Sequence, residues 1–381
     1  FPNTISPEDG TVPSEISAVD PKFKMPQVWK TSLALDYNFP TSFPFSISAE
    51  GIFNKTINGV MLRDWSVNPV HGFARFNGVD NRPIFQNYKQ TYESNGKVVN
   101  LPNAYVLENT NKGYGYSGTF TVNMRPIEGL SLMAAYTHTV SKELTGMPGS
   151  NASSVLNYMG TIYGPNDPGL HNSEYVTPDR VVASVTINDK SNNHFSFIYE
   201  GWRGGYNYTF TTANDMNGDG SSADLIYIPA SKDEVKFVDN GNYTAAEQQD
   251  AFWNFVCNDP YLSKHKGEYA EANMARMPWF NRFDLRVVEN IGFKVGNDIH
   301  KVQLSLDLMN ATNLISYKLG VRKTASACNN GKILTYKDVD AEGNPLYTLY
   351  SNNEGLLAKQ FDTLKSSENC WFLQFGVKYI F

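Results

Sequence analysis

The sequence predicts an all-β fold, a transmembrane antiparallel β-barrel of which this chain supplies about nine strands. Three observations predict it. Apolar and polar residues alternate at a period of two in segment after segment, short and long connections alternate between those segments, and the apolar faces end in aromatic residues. The clearest segment is the last. Trp371, Leu373, Phe375, Val377, Tyr379 and Phe381 point one way, and Phe372, Gln374, Gly376, Lys378 and Ile380 the other. Side chains in a strand change face at every step, so one face is wholly apolar. With 41% hydrophobic residues in the chain, six out of six on one face arises by chance at about 0.5%. A greasy strand face without cover suits a wall whose outer side meets lipid.

Taken in order, residues 1–26, rich in Pro, Ser and Asp, read as the tail of an extracellular loop. The first strand, Gln27 to Phe39, sets Trp29, Leu33, Leu35, Tyr37 and Phe39 against Lys30, Ser32, Asp36 and Asn38. In the second, Phe45, Ile47, Ala49 and Phe53 oppose Ser46, Ser48, Glu50 and Asn54. Tyr114 to Met124 sets Tyr114, Tyr116, Phe120, Val122 and Met124 against Ser117, Thr119, Thr121 and Asn123. Leu132, Ala134, Tyr136 and Val140 oppose Thr137 and Thr139. Val181, Ala183, Val185 and Ile187 oppose Arg180, Ser184 and Thr186. Phe195, Phe197 and Tyr199 oppose His194, Ser196 and Glu200. Phe283, Leu285 and Val287 oppose Arg282, Asp284 and Arg286. Val302, Leu304, Leu306 and Leu308 oppose Lys301, Gln303, Ser305 and Asp307. Most of these segments have the nine to eleven residues that a tilted strand needs to cross a bilayer.

Short turns sit near Pro40-Thr41-Ser42, Pro126 to Gly129, Asn188 to Asn193 and Lys294 to His300. Between them lie four long polar segments, about 55–112, 143–175, 203–279 and 317–369. Outer-membrane barrels place short turns at the periplasmic rim and long loops outside. The expected location is therefore the bacterial outer membrane, with these loops extracellular and the C-terminus periplasmic. Trp29, Tyr37, Phe39, Tyr114, Tyr116, Trp371, Tyr379 and Phe381 fall near strand ends, where aromatic girdles form. Nine is odd for a single-chain bacterial barrel. The remaining strands are expected to lie N-terminal to Phe1, and the chain is expected to be mature or a piece of something longer.

A net charge of -6 and the absence of any Lys/Arg run argue against a nucleic-acid partner. No stretch approaches 18 consecutive apolar residues, so no transmembrane helix is expected. The three cysteines, Cys257, Cys328 and Cys370, have no metal spacing. Cys328 and Cys370 bracket one loop and form a candidate disulfide; three free thiols are the alternative.

The chemistry-bearing candidates are few. Asp215-Met216-Asn217-Gly218-Asp219-Gly220 matches the first half of a D-x-[DN]-x-[DN]-G calcium loop, whose alternating oxygens suit a hard cation. The acidic residue due at position twelve is Ile226, although Asp224 stands two positions earlier. Asp215, Asn217, Asp219 and Asp224 are thus candidate calcium ligands in a surface loop, and a solvated turn is the alternative. Arg282, Asp284, Arg286, Glu200, Gln303 and Asp307 are expected to face the lumen as a charge and amide ladder. His138 falls on the lipid side near a strand end. Trp202-Arg203-Gly204-Gly205-Tyr206-Asn207-Tyr208 suits either a binding loop or an ordinary exposed one. Gln248 to Asn258 is expected to form a short helix on the loop cluster. No HExxH, G-x-S-x-G, Walker loop or dinucleotide fingerprint is present, so no catalytic residue is expected and an enzyme is the least favoured class.

Several stretches resemble the C-terminal half of a TonB-dependent outer-membrane receptor of the Bacteroidetes, in the Oar-like group. They are Val19-Asp20-Pro21-Lys22-Phe23-Lys24-Met25-Pro26-Gln27-Val28-Trp29, Asn217-Gly218-Asp219-Gly220 with Asp224-Leu225-Ile226-Tyr227-Ile228-Pro229, Asn281-Arg282-Phe283-Asp284-Leu285-Arg286, Leu308-Met309-Asn310-Ala311-Thr312-Asn313, and the closing Phe375 to Phe381. The resemblance implies a 22-stranded barrel, an N-terminal plug that this chain does not contain, and energy from TonB. It also implies uptake of a large or scarce nutrient; outer-membrane lipid is an expected partner and a surface lipoprotein a candidate one. Two rivals remain: a structural or adhesion barrel that transports nothing, and a soluble secreted all-β binding protein.

Overall fold

The computed structural model describes residues 14–67, 73–85, 89–94, 96–190, 193–211 and 215–381. Half of the chain is strand and 12% helix, and among the described residues no helix is long and apolar enough to cross a membrane. The all-β expectation holds. The long strands are β1 Glu15–Val19, β2 Gln27–Asn38, β3 Phe45–Asp64, β4 Asn103–Thr110, β5 Tyr114–Met124, β6 Leu130–Glu143, β7 Asp179–Asn188, β8 His194–Arg203, β9 Phe280–Val295, β10 Asp298–Met309 and β11 Phe372–Ile380.

From β5 onward each strand pairs antiparallel with the next through to β11. β3 lies beside β5, and β2 beside the lower half of β3. The register keeps each apolar face in line with its neighbour's. Phe120 pairs with Tyr136, Tyr136 with Val181, Val185 with Phe197, Phe197 with Leu285, Leu285 with Leu308, and Leu308 with Leu373. A slip of one residue would turn a whole row over, so this agreement fixes the register.

The sheet differs from the sequence reading in two ways. It holds twelve strands rather than nine, because β1, β4 and the short segment His171–Asn172 join it. Among the described residues it is also open: no pairing links its two ends, and β2 and β11 each have one unpaired edge. β1 falls within the segment read as loop tail and runs parallel to β4. β3 is 20 residues long, about 66 Å at the usual rise. Its upper half, Gly59–Asp64, pairs with β4, which continues the line of β5. The segment expected as loop 55–112 is therefore partly strand. At β9–β10 the two strands meet across Gly296 and Asn297, with Gly296 at φ +64°. This turn is tighter than the one read at Lys294 to His300.

Among the described residues, the connections 39–44, 125–129, 189–193 and 296–297 lie at one end of the sheet, and 65–102, 144–178, 204–279 and 310–371 at the other. The long ones are not bare loops. They build a cap with its own four-stranded sheet, Thr209–Phe210, Lys332–Val339, Pro345–Leu349 and Lys236–Phe237. On it packs α2, Ala245–Asn258, a longer helix than the Gln248 to Asn258 segment. Thr244 and Glu247 form its capping box, satisfying two backbone donors that the first turn leaves free. Phe210, Ile226, Ile228, Phe252, Val256 and Leu334 close the core of the cap. A smaller core joins Leu62 and Tyr105 to Val155 and Leu156 of α1, Ala152–Asn157.

Candidate functional site

On the wall, burial is inverted relative to a water-facing sheet. In β8 Phe195 is 42% exposed and Phe197 36%, while Ser196 between them is 8% exposed. In β9 Val287 is 40% exposed and Asp284 8%. Leu33 and Leu35 of β2 and Phe375 and Val377 of β11 are more exposed still, helped by their edge positions. Apolar rows thus stand uncovered, while Ser196 and Asp284 lie on the opposite, hydrogen-bonded face together with Ile198 and the buried Val288.

The six residues assigned to the lumen lie on that polar side, most of them in pairs. Glu200 accepts from Arg180 at 2.7 Å and from Arg282 at 3.2 Å, and Arg282 Nε lies 3.2 Å from Asp284. Arg286 sits 3.6 Å from Asp307, and Gln303 donates to Asn290 at 2.9 Å. Three arginines face three acids, so the ladder is close to neutral. It offers hydrogen bonds without selecting one sign of charge, and each exposed pair contributes only about 0–1 kcal/mol. Arg180 belongs to this ladder although the sequence reading left it among the strand residues.

His138, expected at the lipid interface, is half exposed near the upper end of β6. Its Nδ1 lies 2.9 Å from Asp179 Oδ1. Asp179 also accepts from Tyr136 at 2.7 Å and from Arg203 at 2.7 Å. The Trp202 to Tyr208 stretch splits in two. Arg203 lies over Trp279 and Arg322 over Trp202, whereas Tyr208 is 1% exposed and donates to Asp259. Burial, then the neighbouring Tyr206 and Asp259, push the Tyr208 hydroxyl far above its ordinary value. That tyrosine is core rather than contact surface.

Where the cap's segments meet, Arg82 is fully buried and was not foreseen. It donates to both oxygens of Asp80 at 2.9 and 3.0 Å and to Leu225 O at 2.7 Å. Tyr269 and Tyr347 each donate to Asp80 at 3.0 Å, and Arg82 lies 5.0 Å from the Phe210 ring centroid. Asp224, also buried, reaches Arg82 only at 3.5 Å.

The candidate calcium residues adjoin this point. Carboxylate oxygens of Asp215, Asp219 and Asp224 lie within 4.8 Å of one another. Asp215 accepts from the backbone N–H groups of Gly218 at 2.7 Å, Asp219 at 3.2 Å and Gly220 at 2.8 Å. Asp219 accepts from Ser221 N at 2.6 Å and from Thr161 Oγ1 at 3.4 Å, and Asp224 from Met216 N at 3.2 Å. Gly218 and Gly220 have φ of +79° and +87°, a conformation that glycine adopts without strain. Ile226, at position twelve of the motif, is wholly within the cap core and cannot be a ligand. Burial and then the neighbouring acids hold the Asp219 carboxyl well above the usual range. Burial likewise raises Asp224 to about 7, with Arg82 opposing it.

The Cys328–Cys370 bridge is not formed in this structure. All three cysteines are free thiols. Cys328 is buried and donates to Ala325 O at 3.2 Å, while Cys257 and Cys370 are exposed.

No family model matches this chain, and neither a curated protein nor a solved structure shows significant similarity to it.

Proposed function

We propose that the chain is a lipid-facing part of a bacterial outer-membrane receptor. Its sheet is barrel wall, and its cap is an extracellular surface that binds a large or scarce nutrient. The observation that carries this reading is the burial of β8 and β9, where Phe195, Phe197 and Val287 stand uncovered on one face while Ser196, Asp284 and Val288 are buried on the other. Water gives no reason for that arrangement, and hydrocarbon does. The one-sided distribution of long connections supports it, since a barrel collects its long loops at the extracellular rim. The near-neutral polar ladder suits a hydrated interior. Coupling to TonB through a plug on a separate segment, and the wider 22-stranded barrel, rest on the family resemblance.

The test is fractionation of cells carrying the protein, followed by protease treatment of intact cells. The expected result is release only by detergent, with surface cleavage inside 203–279 or 317–369. Recovery in the aqueous fraction would sink the membrane reading. Nutrient uptake that persists unchanged after deletion of the gene would favour the adhesion barrel instead.

A further inference from the structure

We propose that the Asp215–Asp224 loop of the cap is a calcium site, with Asp215, Asn217, Asp219 and Asp224 as its protein ligands. Two independent observations meet there. The first is an imbalance of charge at close quarters. Arg82 is engaged by both oxygens of Asp80 and reaches Asp224 only at 3.5 Å. Among the described residues, Asp215, Asp219 and Asp224 therefore gather their oxygens within 4.8 Å with only Arg82, shared with Asp80, as a neighbouring cation. Like charges this close destabilise one another unless a proton or a metal intervenes.

The second observation is Asn217, which lies between two of those acids in the chain. It is 1% exposed, and among the described residues neither its Oδ1 nor its Nδ2 has a hydrogen-bond partner. A buried amide left unpaired costs about 1–3 kcal/mol. An amide oxygen that no donor satisfies has the chemistry of a ligand to a hard, oxygen-seeking ion. Asp215 is exposed, Asp219 partly so and Asp224 buried, so an ion can enter from solvent and end against the cap.

The ion would tie together connections that are far apart in sequence. Asp219 already accepts from Thr161 at 3.4 Å, and Ser221 donates to Met159 O at 3.0 Å, both on the 144–178 connection. Asp224 adjoins Arg82 of the 65–102 connection. Calcium here would staple three of the four long connections at one point. This inference is independent of the membrane reading, because it concerns the cap alone.

The test is equilibrium dialysis of the full chain against calcium chloride, in detergent where needed. The expected result is one saturable calcium per chain with a dissociation constant of about 10⁻⁴–10⁻³ M, the range of extracellular modules. Asp219→Asn and Asp215→Asn are expected to weaken binding by at least about tenfold, while Asp307→Asn on the wall leaves it unchanged. As a readout that needs no variant, chymotrypsin should cleave the wild-type cap several-fold more slowly with calcium than with a chelator. Three results would overturn the proposal: no saturable binding by folded wild-type protein up to about 10 mM, wild-type affinity in folded Asp219→Asn, or cleavage indifferent to calcium.

Discussion

A guanidinium cut off from water has to recover the hydration it loses. Arg82 does so through Asp80, Leu225 O and the face of Phe210. Burial opposes its charged form, and Asp80 and Asp224 more than offset that, holding the group above its ordinary value. Removing one member of such a pair leaves the other charged and unmatched, at about 3–5 kcal/mol. Arg82→Met should therefore destabilise the cap by about that much, measured by urea unfolding followed through Trp253 fluorescence. A loss under 1 kcal/mol would mean that Asp80 finds water or a proton instead. The thiols offer a second check at this scale. Burial pushes Cys328 up to about 11, so at pH 8 it is almost wholly protonated and a poor nucleophile. A thiol reagent should modify Cys257 and Cys370 quickly in the native protein and Cys328 only after unfolding. Fewer than three titratable thiols in the unfolded, unreduced chain would restore the disulfide.

Strands and helices show where the sequence was readable and where it was not. The wall was legible because its signal is local. In β8 the order Phe195, Ser196, Phe197 states the two faces within three residues, and the register only carries that statement across. The cap was not legible because its strands are mostly two residues long and their partners are remote. Thr209–Phe210 pairs with Lys332 and Leu334, and no period can be read from two residues. Arg82 was invisible for the same reason: nothing in Asp80-Asn81-Arg82 separates a buried pair from a hydrated turn. The acid loop was legible as a motif, but its link to Arg82 was not. Two tests belong here. Leu306→Arg, in an apolar row of β10, should cost about 2–4 kcal/mol if that row faces hydrocarbon, against about 0.5 kcal/mol or less at an ordinary water-facing site. Refolding into vesicles over a urea series measures it. At the start of α2, hydrogen bonds from Thr244 hold the Glu247 carboxyl below its ordinary value. A depressed folded value means that the cap's contribution is complete above about pH 4.3 and fades as the pH falls through the folded value. Amide exchange at residues 245–247 should accordingly be slow at pH 6 and disproportionately faster near pH 3, once intrinsic rates are corrected. Thr244→Ala should remove about 1 kcal/mol, and Glu247→Gln, which cannot ionise, should abolish that difference.

At the scale of the molecule, two kinds of packing are joined end to end. Among the described residues the wall has uncovered apolar rows and bare edges along β2 and β11. On the proposed membrane reading, each unpaired backbone group on those edges would cost several kcal/mol in hydrocarbon. The cap closes its own core from Phe210, Ile226, Phe252 and Leu334 and needs no lipid to do so. A scanning calorimeter should then register two endotherms rather than one. If the sheet faces lipid as proposed, exchanging the surfactant for one with a shorter alkyl tail should move the endotherm of the wall to lower temperature and leave that of the cap in place.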